Sequence, residues 1–355
     1  MERIDIKPGR AQLHALVIGL FALCMAMIVL PELCVPLGLV LPLLACPLVG
    51  RREEPLVYVA AAVPAIASLA AGYDTLYSLS LVSMGGFALL TTRLLPQKQR
   101  VGLSGILWYM LAIAASLGLV AACATRMLGG ALWQKLTELL VAAVSQHDQS
   151  ALLLYRFAAA GLISPPEGIA GNALLGQLLN PLVSRQMLLS FKLTLGNLLF
   201  ELLPAFFVQA SMIVGLFTAL RVQRMNGVIL VVETTSPAQK KARVAVAPGF
   251  RLLALPPRVH WPVTLMAVLS LFLLASDAAV AQMMGQMCYT TFETTFMLVG
   301  AAVIVGVFSS RHPERKALFG ALAALLYAAA PFVLFLIGLT DQTFHYRTKR
   351  SGHPD

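Results

Sequence analysis

Long runs of apolar residues, separated by short polar segments, dominate this chain. A transmembrane helix needs about 20 mostly apolar residues to cross a hydrocarbon core of about 30 Å. The runs that come close to this length predict spans at 11–31, 36–50, 55–72, 75–94, 102–124, 190–220, 262–283, 289–309 and 317–340. The pattern therefore predicts an all-α polytopic transmembrane helical bundle with about nine spans. The alternative is about eight spans, if the last run, which contains Pro331, does not cross completely.

The run 36–50 differs from the others because it is short and contains Pro36, Pro42 and Pro47. Prolines at membrane depth are tolerated only where protein or water satisfies the backbone carbonyls that they free. We therefore expect a broken or re-entrant helix, or a thin span, buried inside the bundle.

The composition agrees with a membrane protein and excludes several other classes. Of the 355 residues, 59% are hydrophobic and 12% are charged, and the mean hydropathy is +0.81. An average soluble domain has about 25% charged residues, so a soluble enzyme, a collagen-like fibre and a disulfide scaffold are all excluded. The six histidines are scattered, and there is no HExxH or GxSxG motif. The sequence thus predicts no catalytic set, no metal site and no cofactor.

The basic residues indicate the topology. Lys and Arg number 26 against 16 Asp and Glu, a net charge of +10. Most of them lie in the N-terminal tail and in segments 51–54, 93–100, 221–260 and 311–316. Because cytoplasmic loops carry an excess of Lys and Arg, we predict a bacterial cytoplasmic membrane protein with a cytoplasmic N-terminus. The lipid bilayer, not nucleic acid, is the expected partner of this charge.

One feature conflicts with nine crossings. They would place the polar tail 341–355 outside, although it carries Arg347, Lys349 and Arg350. Either the run 317–340 does not cross fully or the tail breaks the charge rule.

Two longer polar segments interrupt the runs. In 125–188, Met127 to Val144 has the spacing of an amphipathic helix, so the segment is either a set of interfacial or lid-like outer helices or a spacer on the bundle. The loop 221–260 is β-rich at 228–232 and 244–246, which favours a small hairpin. Its basic turn, formed by Lys240, Lys241 and Arg243, is expected to contact anionic lipid headgroups.

Charged residues inside predicted spans are functional candidates by default. Glu201 lies in the run 190–220, with Asn197 one turn earlier on the same helical face. Asp277 lies in the run 262–283, Glu293 lies in 289–309 beside four threonines, and Trp108 lies in 102–124. The functional interpretation is a polar cavity for a small molecule or a proton. The alternative is a hydrogen-bonded contact between helices, simple exposure of Glu293 at the interface, or plain packing of Trp108.

The first run also carries a small-residue face, formed by Ala15, Gly19, Ala22 and Ala26. Such spacing lets helices approach closely in membranes. It marks the first helix as a surface for a partner helix.

The N-terminal 220 residues resemble the substrate-binding (S) components of energy-coupling-factor vitamin transporters. The resemblance rests on about six spans, a cytoplasmic N-terminus, the small-residue first helix and the proline-rich segment that begins at Val35. The whole chain is similar to the YybS-like family of uncharacterised bacterial membrane proteins, whose Pro/Trp lead-in to a span is like residues 255–262 here.

This resemblance implies an S-component-like part at 1–220, a basic loop at 221–260 and extra helices at 261–340. A small molecule would bind from the outside, under 125–188, and the first helix would dock a coupling protein. The chain departs from ordinary S components in its length, its outer segment and its extra spans. Two functions therefore stay open. One is a substrate-binding or transport protein that uses Glu201 and Asn197, and the other is a non-transporting scaffold in a cell-envelope or division assembly.

Overall fold

The computed structural model describes residues 10–30, 33–95, 103–147, 149–164, 181–225, 250, 253, 257–311 and 315–344. Within these ranges every regular element is helical, which confirms the all-α prediction. The elements are α1 (Arg10–Val29), α2 (Cys34–Ala45), α3 (Glu54–Ala70), α4 (Thr75–Leu94), α5 (Leu103–Leu128), α6 (Leu132–Gln146), α7 (Ser150–Ala159), α8 (Pro181–Met225), α9 (Pro257–Leu274), α10 (Ala279–Arg311), α11 (Lys316–Ala329) and α12 (Pro331–Phe344).

Long apolar helices make the chain a multi-pass membrane protein. Among the described residues, 5 helices are long and apolar enough to cross a membrane, and α11 with α12, counted as one bent span, would raise the number to 6. The five stretches are Ala11–Val29, Thr75–Leu94, Gly105–Leu128, Leu182–Met225 and Ala279–Phe308. The prediction of eight or nine spans is thus not confirmed by helix length, because α2, α3 and α9 are shorter apolar helices.

The chain divides into two compact units. The larger unit comprises Met1–Val120 and Phe207–Asp355, and the smaller unit comprises Ala121–Phe206.

In the larger unit, α4 and α5 pair in opposite directions. The hydroxyl groups of Thr92 on α4 and Tyr109 on α5 lie 2.8 Å apart. Further along, the Ser116 hydroxyl of α5 donates to the Ser83 carbonyl of α4 at 2.7 Å. Later residues of α5 contact earlier residues of α4, so the two helices are antiparallel. The hydrogen bonds of these buried hydroxyls therefore join neighbouring spans and also satisfy the hydroxyls themselves.

The proline-rich segment lies where the sequence predicts it. α2 continues into a 3-10 turn, Cys46–Leu48, and together these 15 residues extend about 22 Å, which is less than a bilayer core. The segment packs against α1, α3 and α4. Its Gly38 approaches the Met84 side chain so closely that an added Cβ would lie 3.0 Å from the sulfur. The expectation of a short, buried segment is confirmed.

The smaller unit is built from α6, α7 and the first part of α8. The predicted helix from Met127 to Val144 is wrong in its bounds, because the backbone breaks at Gly129, which has φ +64°. α6 contacts α8 through an edge-to-face pair of Trp133 and Phe200, with ring centroids 5.3 Å apart. α7 contacts α8 through the stacked rings of Phe157 and Phe191.

Candidate functional site

The residues that the sequence favoured do not form an enclosed site. Glu201 and Asn197 lie on α8 one turn apart, as expected, and both are exposed in the smaller unit. Trp108 lies on α5 in the larger unit and is also exposed. The described residues therefore place none of the three in a buried polar cavity.

Asp277 is a correction to the sequence analysis. It does not lie inside a helix, since α9 ends at Leu274 and α10 begins at Ala279, and it is exposed in the turn between them. Ser276 organises this turn: its hydroxyl accepts from the Ala278 N–H at 3.3 Å. Short polar side chains such as Ser and Asp favour turns because they hydrogen-bond to nearby backbone. This local preference ends the apolar run earlier than its hydropathy suggests.

The small-residue face of α1 is partly open. α1 packs on the larger unit through a different stripe, formed by Leu16, Leu20, Leu23 and Met27, which are all buried. On the small-residue face, Ala15 and Ala22 are exposed and Gly19 and Ala26 are half-buried.

The described residues do not include the predicted basic turn or the β-hairpin around it, so the predictions for Lys240, Lys241 and Arg243 lie outside them.

The ends of several helices meet at an electrostatic cluster formed by Arg51, Glu54, Tyr58 and Arg93. Glu54 accepts hydrogen bonds from the Tyr58 hydroxyl at 2.7 Å and from the Gly50 N–H at 2.9 Å, and it pairs with Arg93. The Tyr58 hydrogen bond, followed by the Gly50 N–H and the Arg93 charge, lowers the pKa of the Glu54 carboxyl.

Arg51 links this cluster to the end of α8. Its guanidinium donates to the Met225 carbonyl at 2.6 Å and to the Pro47 carbonyl at 3.1 Å. A cation at a helix C-terminus compensates the free carbonyls there. Burial lowers the pKa of Arg51, but an arginine stays charged at this depth. The start of α3, the end of α4 and the end of α8 therefore lie at one end of the bundle, as their basic residues predict.

The most unusual element is a helical hairpin formed by α11 and α12. The two helices break at Ala330 and bend by 114°. Pro331, the first residue of α12, has no N–H to continue the hydrogen bonding of α11. Since the bend exceeds a right angle, α12 turns back toward the level at which α11 began.

Contacts with α10 show the same reversal. The rings of Phe308 and Phe319 stack 5.2 Å apart near the start of α11, whereas Tyr327, near its end, lies beside Thr294. As α11 advances, its contacts therefore move toward the N-terminus of α10. As α12 advances, its contacts move back toward the C-terminus of α10, from the ring pair of Phe292 and Phe335 to the crossing of Gly300 with Gly338. We call this element, 316–344, the re-entrant hairpin.

Two glycines hold the re-entrant hairpin against α10. A Cβ added to Gly300 would overlap the Leu334 carbonyl oxygen, and one added to Gly338 would overlap the Phe296 carbonyl oxygen. The backbones of α10 and α12 thus touch directly, which is the close approach that small residues permit in membranes.

Polar groups gather where the tip of this hairpin meets α10. Thr294 is fully buried, and among the described residues its hydroxyl makes no hydrogen bond to a carbonyl of its own helix. The hydroxyl of Tyr327 faces that of Thr294 and interacts with it, and it also lies within the electrostatic reach of Glu293. Glu293 is half-buried on α10. We call Glu293, Thr294 and Tyr327 the tip cluster.

The neighbouring threonines behave differently. The hydroxyl of Thr291 donates to the Met287 carbonyl at 2.7 Å, and that of Thr295 donates to the Thr291 carbonyl at 2.6 Å. This bonding one turn back is the ordinary way in which a threonine satisfies itself inside a helix. Thr294 does not use it, so its hydroxyl is available to another group.

Sequence reasoning named Glu293 but missed Tyr327. Pro331 in an apolar run was the available signal, because a helix break brings the residues of the preceding turn to a tip.

Among the described residues, no group of three or more His, Cys, Asp or Glu is placed to hold a metal ion. Comparison with family models, with curated proteins and with solved structures finds no match to this chain.

Proposed function

We propose that this multi-pass membrane protein binds or transports a small polar solute in the bacterial cytoplasmic membrane and has no enzymatic activity. The observation that carries the proposal is the re-entrant hairpin, whose tip meets the buried Thr294 hydroxyl on α10. Solute and ion sites of secondary transporters are typically formed by discontinuous helices near mid-membrane.

The break at Ala330 interrupts the helical hydrogen bonding at the level of the tip cluster, where the Leu326 and Ala330 carbonyls accept from the Ala330 and Val333 N–H groups at 2.8 and 3.0 Å. The last carbonyls of a helix and the first N–H groups of the next have no partner within their own helix. Such groups are tolerated inside a membrane where they are buried in protein or line a cavity. A polar solute bound at the tip would hydrogen-bond to the other backbone groups of the break and to the hydroxyls of Thr294 and Tyr327.

The S-component-like interpretation stays part of the proposal. In it, Glu201 and Asn197 contact the solute as it enters from the outer side, and the small-residue face of α1 docks a coupling protein. The exposure of Glu201 and Asn197 leaves their side chains accessible to a solute.

The first experiment is purification in nanodiscs from the native host, followed by native mass spectrometry. A retained small molecule is expected. It should be lost on Thr294→Val or Tyr327→Phe and kept on Thr291→Val, the matched control whose hydroxyl already bonds the Met287 carbonyl. A chain that carries no small molecule, with envelope or division proteins bound, would overturn the transport proposal.

A non-transporting scaffold is the second candidate, and the exposure of Ala15 and Ala22 on α1 favours it. If this face docks a partner helix, Ala15→Leu should abolish partner binding. The matched control Ile18→Leu alters an exposed residue outside the small-residue face and should have no effect. Equal partner recovery in both variants would argue against docking at this face.

A further inference from the structure

The last turns of α8 carry two arginines that have no acid beside them. Arg221 and Arg224 are both exposed, and they lie within electrostatic reach of each other. The described residues pair neither guanidinium with a carboxylate. Like charges one turn apart on a helix destabilise each other, so an anion bound between the two arginines would relieve their repulsion.

Helix capping does not account for this pair. Cations in the last turn of a helix ordinarily compensate its free carbonyls. In α8 a residue from another element does this, since the Arg51 guanidinium donates to the Met225 carbonyl at 2.6 Å. Arg221 and Arg224 are thus available to a group outside the chain.

The acids at this end of the bundle are already engaged. Glu54 pairs with Arg93, and Glu53 acts on Arg51. Arg52 is exposed in the same turn. Among the described residues, this end of the larger unit therefore has more arginines than acids, and the excess includes the two arginines of α8.

The surface one turn deeper than the arginines is apolar. Phe217, Arg221 and Arg224 follow the i, i+4, i+7 spacing of one helical face. The Phe217 side chain is 39% exposed, and its ring lies against that of Phe250, with centroids 5.3 Å apart. α8 thus presents charge at its end and an exposed aromatic surface deeper in the membrane.

We propose that the end of α8 binds an anionic phospholipid. Arg221 and Arg224 donate to its phosphate oxygens, and an acyl chain lies against Phe217. Arginine suits this role because its planar fork pairs with a phosphate through two parallel N–H donors. Basic pockets beside membrane spans bind lipid headgroups in this way. The site is separate from the predicted basic turn of the loop 221–260, because both arginines belong to α8.

A phospholipid fits this surface better than a soluble anion. A free phosphate would use the two charges and would gain nothing from the exposed ring of Phe217. A lipid uses both, since its phosphate lies at the bilayer surface directly over its acyl chains. The inference goes beyond the proposed function and does not depend on solute transport.

The test is native mass spectrometry of the full chain in detergent micelles, with phosphatidylglycerol or phosphatidylcholine added. The wild type should bind phosphatidylglycerol more tightly, because the arginines repel the choline cation of the other lipid. Arg221→Gln and Arg224→Gln should each weaken phosphatidylglycerol binding about fivefold, which corresponds to about 1 kcal/mol for each basic residue near an anionic surface. Binding of phosphatidylcholine should not change.

Two variants and one soluble compound serve as controls. Arg126→Gln removes the exposed arginine in the last turn of α5, a helix with no second arginine, and should leave the affinity for phosphatidylglycerol unchanged. A double variant with Arg221→Lys and Arg224→Lys keeps both charges and should keep the preference for phosphatidylglycerol. Glycerol phosphate, which lacks acyl chains, should not displace the lipid.

Equal affinities of the wild type for the two lipids would overturn the proposal without any variant. Unchanged binding in both glutamine variants, or an equal loss in Arg126→Gln, would also overturn it, because the preference would then not depend on this pair of arginines. Displacement by glycerol phosphate would assign the arginines to a soluble phosphate compound and would overturn the lipid site.

Discussion

Replacing Gly300 with Ala is the sharpest test of the re-entrant hairpin. The new Cβ would overlap the Leu334 carbonyl oxygen, which belongs to the backbone of α12 and cannot move without its helix. Overpacking of this kind costs about 1–3 kcal/mol. Against this, Ala is favoured over Gly inside a helix by about 1 kcal/mol.

A matched control removes the helix-propensity contribution. Gly320 lies in α11 with nothing within 4 Å of its added Cβ, so Gly320→Ala should be neutral or stabilising by up to about 1 kcal/mol. The difference in unfolding free energy between the two alanine variants should therefore be about 1–3 kcal/mol. This difference should lie toward the upper end of that range, because the added Cβ overlaps a backbone oxygen rather than the end of a flexible side chain.

The measurement is reversible unfolding in mixed detergent micelles, followed by far-UV circular dichroism. Gly338→Ala should resemble Gly300→Ala, since its Cβ would overlap the Phe296 carbonyl oxygen. The double variant should lose less unfolding free energy than the two single variants lose together, because helices that one added Cβ has already separated meet no second clash. Equal stability of Gly300→Ala and Gly320→Ala would refute the close crossing of α10 and α12.

Three further outcomes follow from the structure. Arg315→Cys and Thr343→Cys, each made in a cysteine-free chain, should both react with an impermeant maleimide added to the same side of the membrane. Labelling of the two cysteines from opposite sides would contradict the reversal of the chain at Ala330. Arg51→Gln should lower the unfolding free energy by about 1–3 kcal/mol, since it removes a charged donor to the Met225 carbonyl; unchanged stability would disprove this cap. The pKa of Glu54 is lowered on folding, chiefly by the Tyr58 hydroxyl, so its contribution is present above the ordinary value near 4.5 and is lost as the pH falls through the lower folded value. Glu54→Gln should flatten the acid side of the stability profile, and a profile that matches the wild type would exclude the effect.

Part of the fold could be predicted because the responsible physics is local. Pro36 and Pro42 lie within α2, and Pro47 lies in the 3-10 turn that follows it. Their spacing marks a short, irregular element in the sequence, and a helix too short to span must be covered by its neighbours. The common side of segments 51–54 and 93–100 was likewise predictable, because charge excess acts on each loop separately. The link between Glu54 and Arg93 agrees with that placement.

The candidate site was harder to predict because it depends on which helix covers which face. The spacing of Asn197 and Glu201 establishes that they share a face of α8, but not that anything packs on it. Hydropathy averaged over a window cannot detect the turn at Ser276 and Asp277, because two polar residues hardly change the mean of a long apolar run. The pairing of Thr294 with Tyr327 joins residues of separate helices, and only tertiary packing brings them together.

The break between α11 and α12 also bears on the charge rule at the C-terminal tail. If 317–340 were one straight span, Arg347, Lys349 and Arg350 would lie opposite the other basic segments. The bend of 114° at Ala330 turns α12 partly back toward the level at which α11 begins. A C-terminus on that side would obey the same charge rule as the predicted cytoplasmic loops. The same break brings Tyr327, near the end of α11, beside Thr294 on α10, so a single Ala-Pro step shapes both the course of the last helix and the polar tip of the hairpin.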